Sequence, residues 1–244
     1  MFKIALTAGH YKHTAGRRCE KAFDPNETRE WVLNDRIADK VEKLLAANYT
    51  GYQLIRTDDT TGEKKIDIAP RVNAANNFKA DFYLSLHHNG GIDGGKGGGI
   101  VAYVRAKPSA ADLEWQKALY NELIAATGLK GNRSTPMPKR NLYECYAPTM
   151  PAVLLELGFM DSSTDVPIII SESYANKCAE AIVKVLAERG KLTKKKAEPA
   201  EPTEPATGKL YRVQVGAYSK KANAEKKLAE LKAAGFTDAY IKEG

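Results

Sequence analysis

Short apolar runs alternate along the first 190 residues with longer segments in which apolar residues recur every three or four positions. The short runs have the length of buried strands, and the longer segments have the period of an amphipathic helix. Strands are predicted at residues 3–8, 52–57, 81–87, 99–105 and 152–157, and helices at 30–47, 66–79, 109–127 and 173–189. This alternation predicts an α/β domain with a largely parallel twisted sheet flanked by helices.

The pattern stops at residues 191–208, which read KLTKKKAEPAEPTEPATG and repeat Glu-Pro steps. Such a composition predicts a semi-extended linker. Residues 209–244 then return to a strand–helix–strand pattern, with strands at 211–215 and 236–241 around a helix at 223–234. A single βαβ module of this size is near the lower limit of independent stability, so we expect it to need a partner surface.

The composition is that of a soluble globular protein, with 43% hydrophobic and 27% charged residues among 244. No apolar run reaches the roughly 18 residues of a membrane helix, which predicts no membrane insertion. The N-terminus enters a strand pattern directly and lacks the features of a signal peptide. We therefore expect synthesis in the cytoplasm, with lysis or a membrane pore giving access to any external substrate. The cysteines form no CxxC pair, which favours reduced thiols.

The formal net charge is +7, and residues 209–244 carry 8 Lys or Arg against 4 Asp or Glu. A basic module suits attraction to an anionic polymer, either cell wall or nucleic acid. A solvated lysine-rich helix face would explain much of the same excess. No base-reading motif is recognisable, which makes nucleic-acid binding the weaker interpretation.

Metal-capable residues lie near the ends of three predicted strands. His10 follows the first strand, His87 closes the strand at 81–87, and Glu156 lies near the end of the strand at 152–157. In open α/β sheets, ligand sites form outside the carboxyl ends of the strands, so these side chains could converge. Two imidazoles and one carboxylate make a typical catalytic zinc shell, and a further unligated carboxylate can act as a general base. Each histidine taken alone is more often structural.

Four motifs follow one another at compatible spacing. They are Gly9-His10, Glu30 with Asn34, the stretch from Arg71 through Ala75-Asn76 and Asp81 to Ser85-Leu86-His87-His88-Asn89, and Pro151-Ala152-Val153-Leu154-Leu155-Glu156-Leu157-Gly158-Phe159. In these motifs, residues 1–190 resemble the zinc-dependent N-acetylmuramoyl-L-alanine amidase family of bacterial autolysins and phage endolysins. The resemblance implies a catalytic domain that cleaves the amide bond between N-acetylmuramic acid and L-alanine in peptidoglycan.

The resemblance also implies roles for individual residues. His10, Glu30 and His87 would bind Zn²⁺, and Glu156 would be the catalytic base. Neighbouring strand residues point to opposite faces, which supports His87 over His88 as the ligand. Glu27 ranks behind Glu30 because no asparagine follows it four residues later.

Two further residues of these motifs are candidates for substrate binding. Asn89 and Arg71 would position the substrate or orient the zinc ligands. For Arg71, a buried ion pair or packing against a helix is an equally open interpretation.

The C-terminal module carries a second resemblance. Val213-Gln214-Val215-Gly216-Ala217-Tyr218 and Ala233-Ala234-Gly235-Phe236 resemble a SPOR-type peptidoglycan-binding repeat. The full domain of that type contains two βαβ halves, and residues 209–244 supply one. We therefore hypothesise that two chains pair these modules in a homodimer, because exposed strand edges favour such pairing. Docking on the chain's own catalytic domain, or poor order, is the alternative.

Two other functions stay open from the sequence. A zinc peptidase acting within the stem peptide would use the same metal chemistry. A non-catalytic wall-binding protein would need neither the ligand set nor Glu156.

Overall fold

The computed structural model describes residues 1–92, 94–196, 215–233, 236 and 239–242. The chain divides into two compact units, Met1–Lys196 (unit 1) and Ala197–Gly244 (unit 2). The described strands are β1 (Phe2–Ala8), β2 (Tyr49–Thr50), β3 (Tyr52–Arg56), β4 (Phe82–Asn89), β5 (Ile100–Tyr103), β6 (Ala152–Phe159) and β7 (Thr193–Lys194). The described helices are α1 (Glu30–Asn48), α2 (Ile68–Phe78), α3 (Ala110–Thr127), α4 (Tyr143–Tyr146), α5 (Val166–Ile169), α6 (Glu172–Arg189) and α7 (Lys221–Ala233).

A five-stranded sheet in the order β3-β1-β4-β6-β5 forms the centre of unit 1. The pairs β1–β3, β1–β4 and β4–β6 are parallel, and β5 runs antiparallel to β6 at one edge. Parallel strands with helices on both faces are buried along nearly their whole length, as β1, β4 and β6 are here. The predicted fold class, a largely parallel sheet flanked by helices, is confirmed.

Side-chain alternation divides the core between the two faces of the sheet. Ile4 and Phe82 belong to the large core cluster, which also contains buried residues of α1, α3 and α6. Ala5 and Tyr83 point to the other face and pack with Val72 of α2. The same alternation of side chains continues to the carboxyl ends of the strands, where it determines which polar residues lie on the same face of the sheet.

The structure adds elements that the sequence pattern does not predict. The helices α4 and α5 have four residues each, too few to show a helical period. The strands β2 and β7 form a two-residue antiparallel pair between Tyr49–Thr50 and Thr193–Lys194. A pairing so distant along the chain leaves no local signal in the sequence.

Unit 2 contains α7, which overlaps the helix predicted at 223–234. Of the strand predicted at 211–215, all but Val215 lies outside the described residues. Of the strand predicted at 236–241, the described residues Phe236 and 239–241 are not in a strand, and 237–238 lie outside the described part.

Among the described residues, no helix combines the length and the apolar character needed to cross a membrane.

The cysteines are buried and form no disulfide bond, and they are Cys19, Cys145 and Cys178. Burial raises the pKa of each thiol to about 12. The thiols therefore serve as core side chains.

Candidate metal centre and active site

Three potential metal ligands meet at the carboxyl end of the sheet. His10 follows β1, Glu30 begins α1 and His87 lies near the end of β4, and their ligand atoms are within 4.8 Å of one another. Glu30 Oε2 lies 3.2 Å from His10 Nε2, and Glu30 Oε1 lies 3.0 Å from His87 Nδ1. Ligand atoms in a tetrahedral zinc shell are roughly 3–3.5 Å apart, so the spacing suits such an ion.

Glu30 supplies a buried negative charge to this cluster. Its side chain is 1% exposed at the first position of α1, and Oε1 also accepts a hydrogen bond from the backbone N–H of His88. Burial raises the pKa of Glu30, but its contacts with His10 and His87 outweigh burial and hold the pKa below its usual range. The carboxylate is therefore ionised at neutral pH.

His10 has a backbone conformation that a residue with a Cβ seldom adopts, with φ at 68°. Arg71 holds this segment from α2. Its Nη2 donates to the carbonyl of His10 at 2.6 Å, and its Nη1 donates to Thr7 Oγ1 and to the carbonyl of Ala8. Arg71 is 4% exposed. Of the roles predicted for Arg71, these contacts support the orientation of His10, one of the potential metal ligands.

Gly9 leaves the space that the imidazole of His87 occupies. A Cβ on Gly9 would overlap the His87 ring, so a larger residue would displace the ring. The carbonyl of Gly9 accepts a hydrogen bond from Asn34 Nδ2 at 3.2 Å. Glycine and asparagine in the matched motifs therefore position the two histidines.

His88 lies on the opposite face of the sheet from His87, as strand alternation predicts. It is buried beneath α1, and its Nδ1 lies 2.7 Å from Asn34 Oδ1. Burial lowers the pKa of His88 to about 3, so the ring is neutral and donates from Nδ1. His88 therefore stabilises the segment around Gly9 and does not face the three ligands.

Glu156 lies on β6 directly opposite His87 in the parallel register. Among the residues that the structure describes, its buried Oε2 has no hydrogen-bond partner. Burial raises the pKa of Glu156 to about 7. A carboxyl group with such a pKa can both accept and release a proton near neutral pH, which general acid–base catalysis requires.

Glu144 is the residue of this site that the sequence analysis missed. It lies on α4, and its Oε2 is 3.3 Å from His87 Nε2. Burial raises its pKa, but contacts with His87 and Tyr83 outweigh burial and lower the pKa to about 2. A four-residue helix carries no periodic signal, and the matched motifs do not include this glutamate.

The candidate Asn89, and His13, a histidine close to the Gly9-His10 motif in the chain, have contacts that lie apart from the cluster. Asn89 ends β4, and its Oδ1 accepts from the backbone N–H of Gly90 at 2.9 Å. The exposed His13 contacts Glu63, with Nε2 and Oε2 3.3 Å apart. Neither side chain contacts the proposed ligands in the interactions that the structure shows.

The donor set fits a zinc ion. Two imidazole nitrogens and one carboxylate are borderline ligands of the kind that zinc binds, whereas Mg²⁺ and Ca²⁺ prefer oxygen alone. The two oxygens of the buried Glu30 carboxylate lie 3.2 Å from His10 Nε2 and 3.0 Å from His87 Nδ1. A buried carboxylate between two imidazole nitrogens is an arrangement that a bound cation would satisfy.

Comparisons with known proteins identify relatives of this chain. A sporulation-specific N-acetylmuramoyl-L-alanine amidase of Bacillus subtilis is 28% identical over 97% of this chain and 83% of its own length. An endolysin of Bacillus phage SPP1 is 29% identical over 87% of this chain and 75% of its own.

Solved structures show the same fold. The catalytic domain of the amidase CwlV from Bacillus (Paenibacillus) polymyxa aligns with a TM-score of 0.68 at 23% identity, over 79% of this chain and 100% of its own. An N-acetylmuramoyl-L-alanine amidase from Clostridium difficile 630 aligns with a TM-score of 0.67 at 24% identity, over 77% of this chain and 95% of its own.

Two protein families match the chain. The SPOR domain family matches residues 179–244, a range that begins within α6. The N-acetylmuramoyl-L-alanine amidase family matches residues 4–188, which include the three potential ligands and Glu156. The chain belongs to the N-acetylmuramoyl-L-alanine amidase family.

Proposed function

We propose that the protein hydrolyses the amide bond between N-acetylmuramic acid and L-alanine of peptidoglycan with Zn²⁺ held by His10, Glu30 and His87. The observation that carries this proposal is the convergence of these three side chains within 4.8 Å at the end of the sheet. Glu156, which shares a face of the sheet with His87, stands beside them. Membership of the amidase family identifies the reaction.

A zinc ion in this position would polarise the scissile carbonyl and make a water molecule more acidic. The chain itself supplies the proton transfers. Glu156 accepts a proton from the attacking water at a carboxylate oxygen and later gives it to the nitrogen of the leaving L-alanine. Its buried position keeps the pKa near 7, which suits both steps.

The remaining motif residues keep the ligands in place. Arg71 binds the carbonyl of His10, and Asn34 binds the carbonyl of Gly9. We assign Arg71 to the orientation of His10. Asn89, at the carboxyl end of β4, is the residue that we assign to contact with the substrate.

Digestion of purified peptidoglycan, followed by mass spectrometry with and without a chelator, tests the reaction. We expect free stem peptides that begin at L-alanine, lost on chelation and restored by zinc. Cleavage within the stem would replace the amidase with a zinc peptidase. Binding to the wall without any products would favour a non-catalytic wall-binding protein.

Peptidoglycan is also the partner that the SPOR family match indicates for the C-terminal region. We assign residues 1–190 to catalysis, 191–208 to a linker and 209–244 to wall binding.

We further propose that residues 209–244 mediate a homodimer. The described part of unit 2 exposes large apolar side chains, among them Val215, Tyr218, Phe236 and Tyr240. Such side chains favour association. A monomer in analytical ultracentrifugation at micromolar concentrations would contradict the dimer.

The place of action follows from the substrate. We propose that the protein works on the cell wall. Cytoplasmic synthesis followed by lysis or pore-mediated release stays a prediction from the sequence.

A further inference from the structure

The imidazole of His87 lies between two carboxylates. Its Nδ1 is 3.0 Å from Glu30 Oε1, on the side of the proposed metal, and its Nε2 is 3.3 Å from Glu144 Oε2. A neutral histidine that binds a metal through one ring nitrogen carries its proton on the other. A carboxylate that accepts this second N–H fixes the tautomer and orientation of the ring and increases its basicity.

Glu144 is itself held by two hydroxyl groups of β4. Tyr83 donates to Glu144 Oε1 at 2.8 Å, and Ser85 donates to the same oxygen at 3.0 Å. Tyr83, Ser85 and His87 alternate along β4 and therefore share one face of the sheet. Both hydroxyls bind Oε1, so Oε2 is directed to His87.

We infer that Glu144 is a positioning residue that fixes His87 with Nδ1 directed to the metal. This inference rests on the proposed function, because it requires a metal ion shared by His10, Glu30 and His87. Glu144 approaches Nε2, the nitrogen directed away from Glu30, so it acts through His87 and is not a fourth member of the ligand group. The backbone of Gly9, which lies against the His87 ring, adds a second restraint.

The chemistry explains why a buried carboxylate is placed here. A charged acceptor holds an imidazole N–H more strongly than a neutral acceptor does. Glu144 is 5% exposed, so solvent screens its interaction with His87 only weakly. A neutral side chain of the same shape would keep the packing and lose most of this electrostatic hold on the ring.

The test is the zinc affinity of the full chain, measured by competition with a chromophoric chelator. Glu144→Gln retains the shape of the side chain and removes its charge. We expect zinc binding to weaken by about 10–100-fold, the usual effect of removing such a partner. Ser85→Ala leaves Glu144 in place but removes one of its anchors, and we expect a smaller loss in the same direction.

Asp112→Asn is the matched control, because Asp112 is also a buried acid with several hydrogen bonds. It accepts from the backbone N–H groups of Ser109 and Ala152, and Ala152 begins β6 at the end opposite Glu156. We expect this variant to lose stability in urea unfolding without losing zinc affinity. An equal loss of affinity in Asp112→Asn and Glu144→Gln would overturn the inference, since it would show a general effect of destabilisation.

The outcomes distinguish a failure of the proposed metal site from a failure of the role inferred for Glu144. If the unmodified protein binds no zinc, the metal site itself is wrong. If it binds zinc and Glu144→Gln binds equally tightly, only the role of Glu144 is wrong. Should Glu144→Gln fail to fold, Ser85→Ala decides, because unchanged zinc affinity in that variant would overturn the inference.

Discussion

Glu156 on β6 and His87 on β4 are register partners in neighbouring parallel strands, and their side chains point to the same face of the sheet. This relationship places a proton acceptor beside the proposed metal ligands without making it one of them. Because the two residues belong to rigid, buried strands, their separation is set by the sheet and not by loops.

Replacing Glu156 with glutamine should abolish most turnover while leaving zinc bound. The amide has nearly the shape of the carboxylate but cannot accept the proton of the attacking water. We expect a loss of about 10²–10⁴-fold in peptidoglycan hydrolysis, the usual contribution of general acid–base catalysis. Metal analysis of the purified variant should match that of the unmodified protein. Substantial turnover with zinc present would remove Glu156 from the role of base.

Zinc should stabilise the folded protein through His10. A ligand that binds only the folded state at 100 times its Kd adds about 2.7 kcal/mol to the free energy of unfolding. We expect zinc to raise the Tm of the metal-free protein, and His10→Asn to lose most of that increase. His13→Asn is the control, because His13 is exposed and contacts Glu63. Equal responses to zinc in the two variants would place the metal elsewhere.

Gly9→Ala should disturb the metal site as well as the fold. The added methyl group would overlap the imidazole of His87, which must shift or strain the backbone. Overpacking of this kind costs about 1–3 kcal/mol in the free energy of unfolding. We also expect weaker zinc binding. Gly90→Ala is the control, since its nearest side-chain atom would be 3.9 Å from the new Cβ. Urea unfolding and zinc titration of both variants would test this, and normal zinc affinity in Gly9→Ala would contradict it.

His88 should lower the free energy of unfolding as the solution becomes mildly acidic, an effect opposite in sign to that of Glu156, whose raised pKa favours the folded state as the pH falls from about 7. Burial lowers the pKa of His88 from 6.5 to about 3, so the unfolded chain binds a proton below pH 6.5 that the folded protein does not. The contribution of the neutral, buried His88 to the free energy of unfolding is complete above pH 6.5. It is lost as the pH falls toward 3, at up to about 1.4 kcal/mol per pH unit.

The measurement is the free energy of urea unfolding of the metal-free protein between pH 6.5 and 5. His88→Leu should be less stable overall, because Asn34 loses its partner, but its free energy of unfolding should fall less, or rise more, than that of the unmodified protein as the pH is lowered. Identical slopes for the two proteins would show that His88 is not the titrating group.

The order of the elements could be predicted because each long element has its own periodic signal. The spacing of Trp31, Ile37, Val41 and Leu45 predicts α1, and all four are buried against the sheet. His10 and His87 stood out because they follow or close predicted strands, whereas Glu30 at the start of α1 was predicted only through the resemblance to the amidase family. The antiparallel direction of β5 had no such signal, since its apolar run is compatible with either direction.

The α/β class followed from the sequence alone, because each long element has its own periodicity. The sequence motifs, through their resemblance to the amidase family, predicted the three candidate ligands and Glu156 as the candidate base. The contact of Glu144 with His87 and the hold of Arg71 on His10 depend on tertiary packing. Glu144 and His87 are 57 residues apart, and Arg71 and His10 are 61 apart. Only the folding of α4 and α2 against the sheet brings these side chains together, because contacts across such separations follow from three-dimensional packing and not from local sequence.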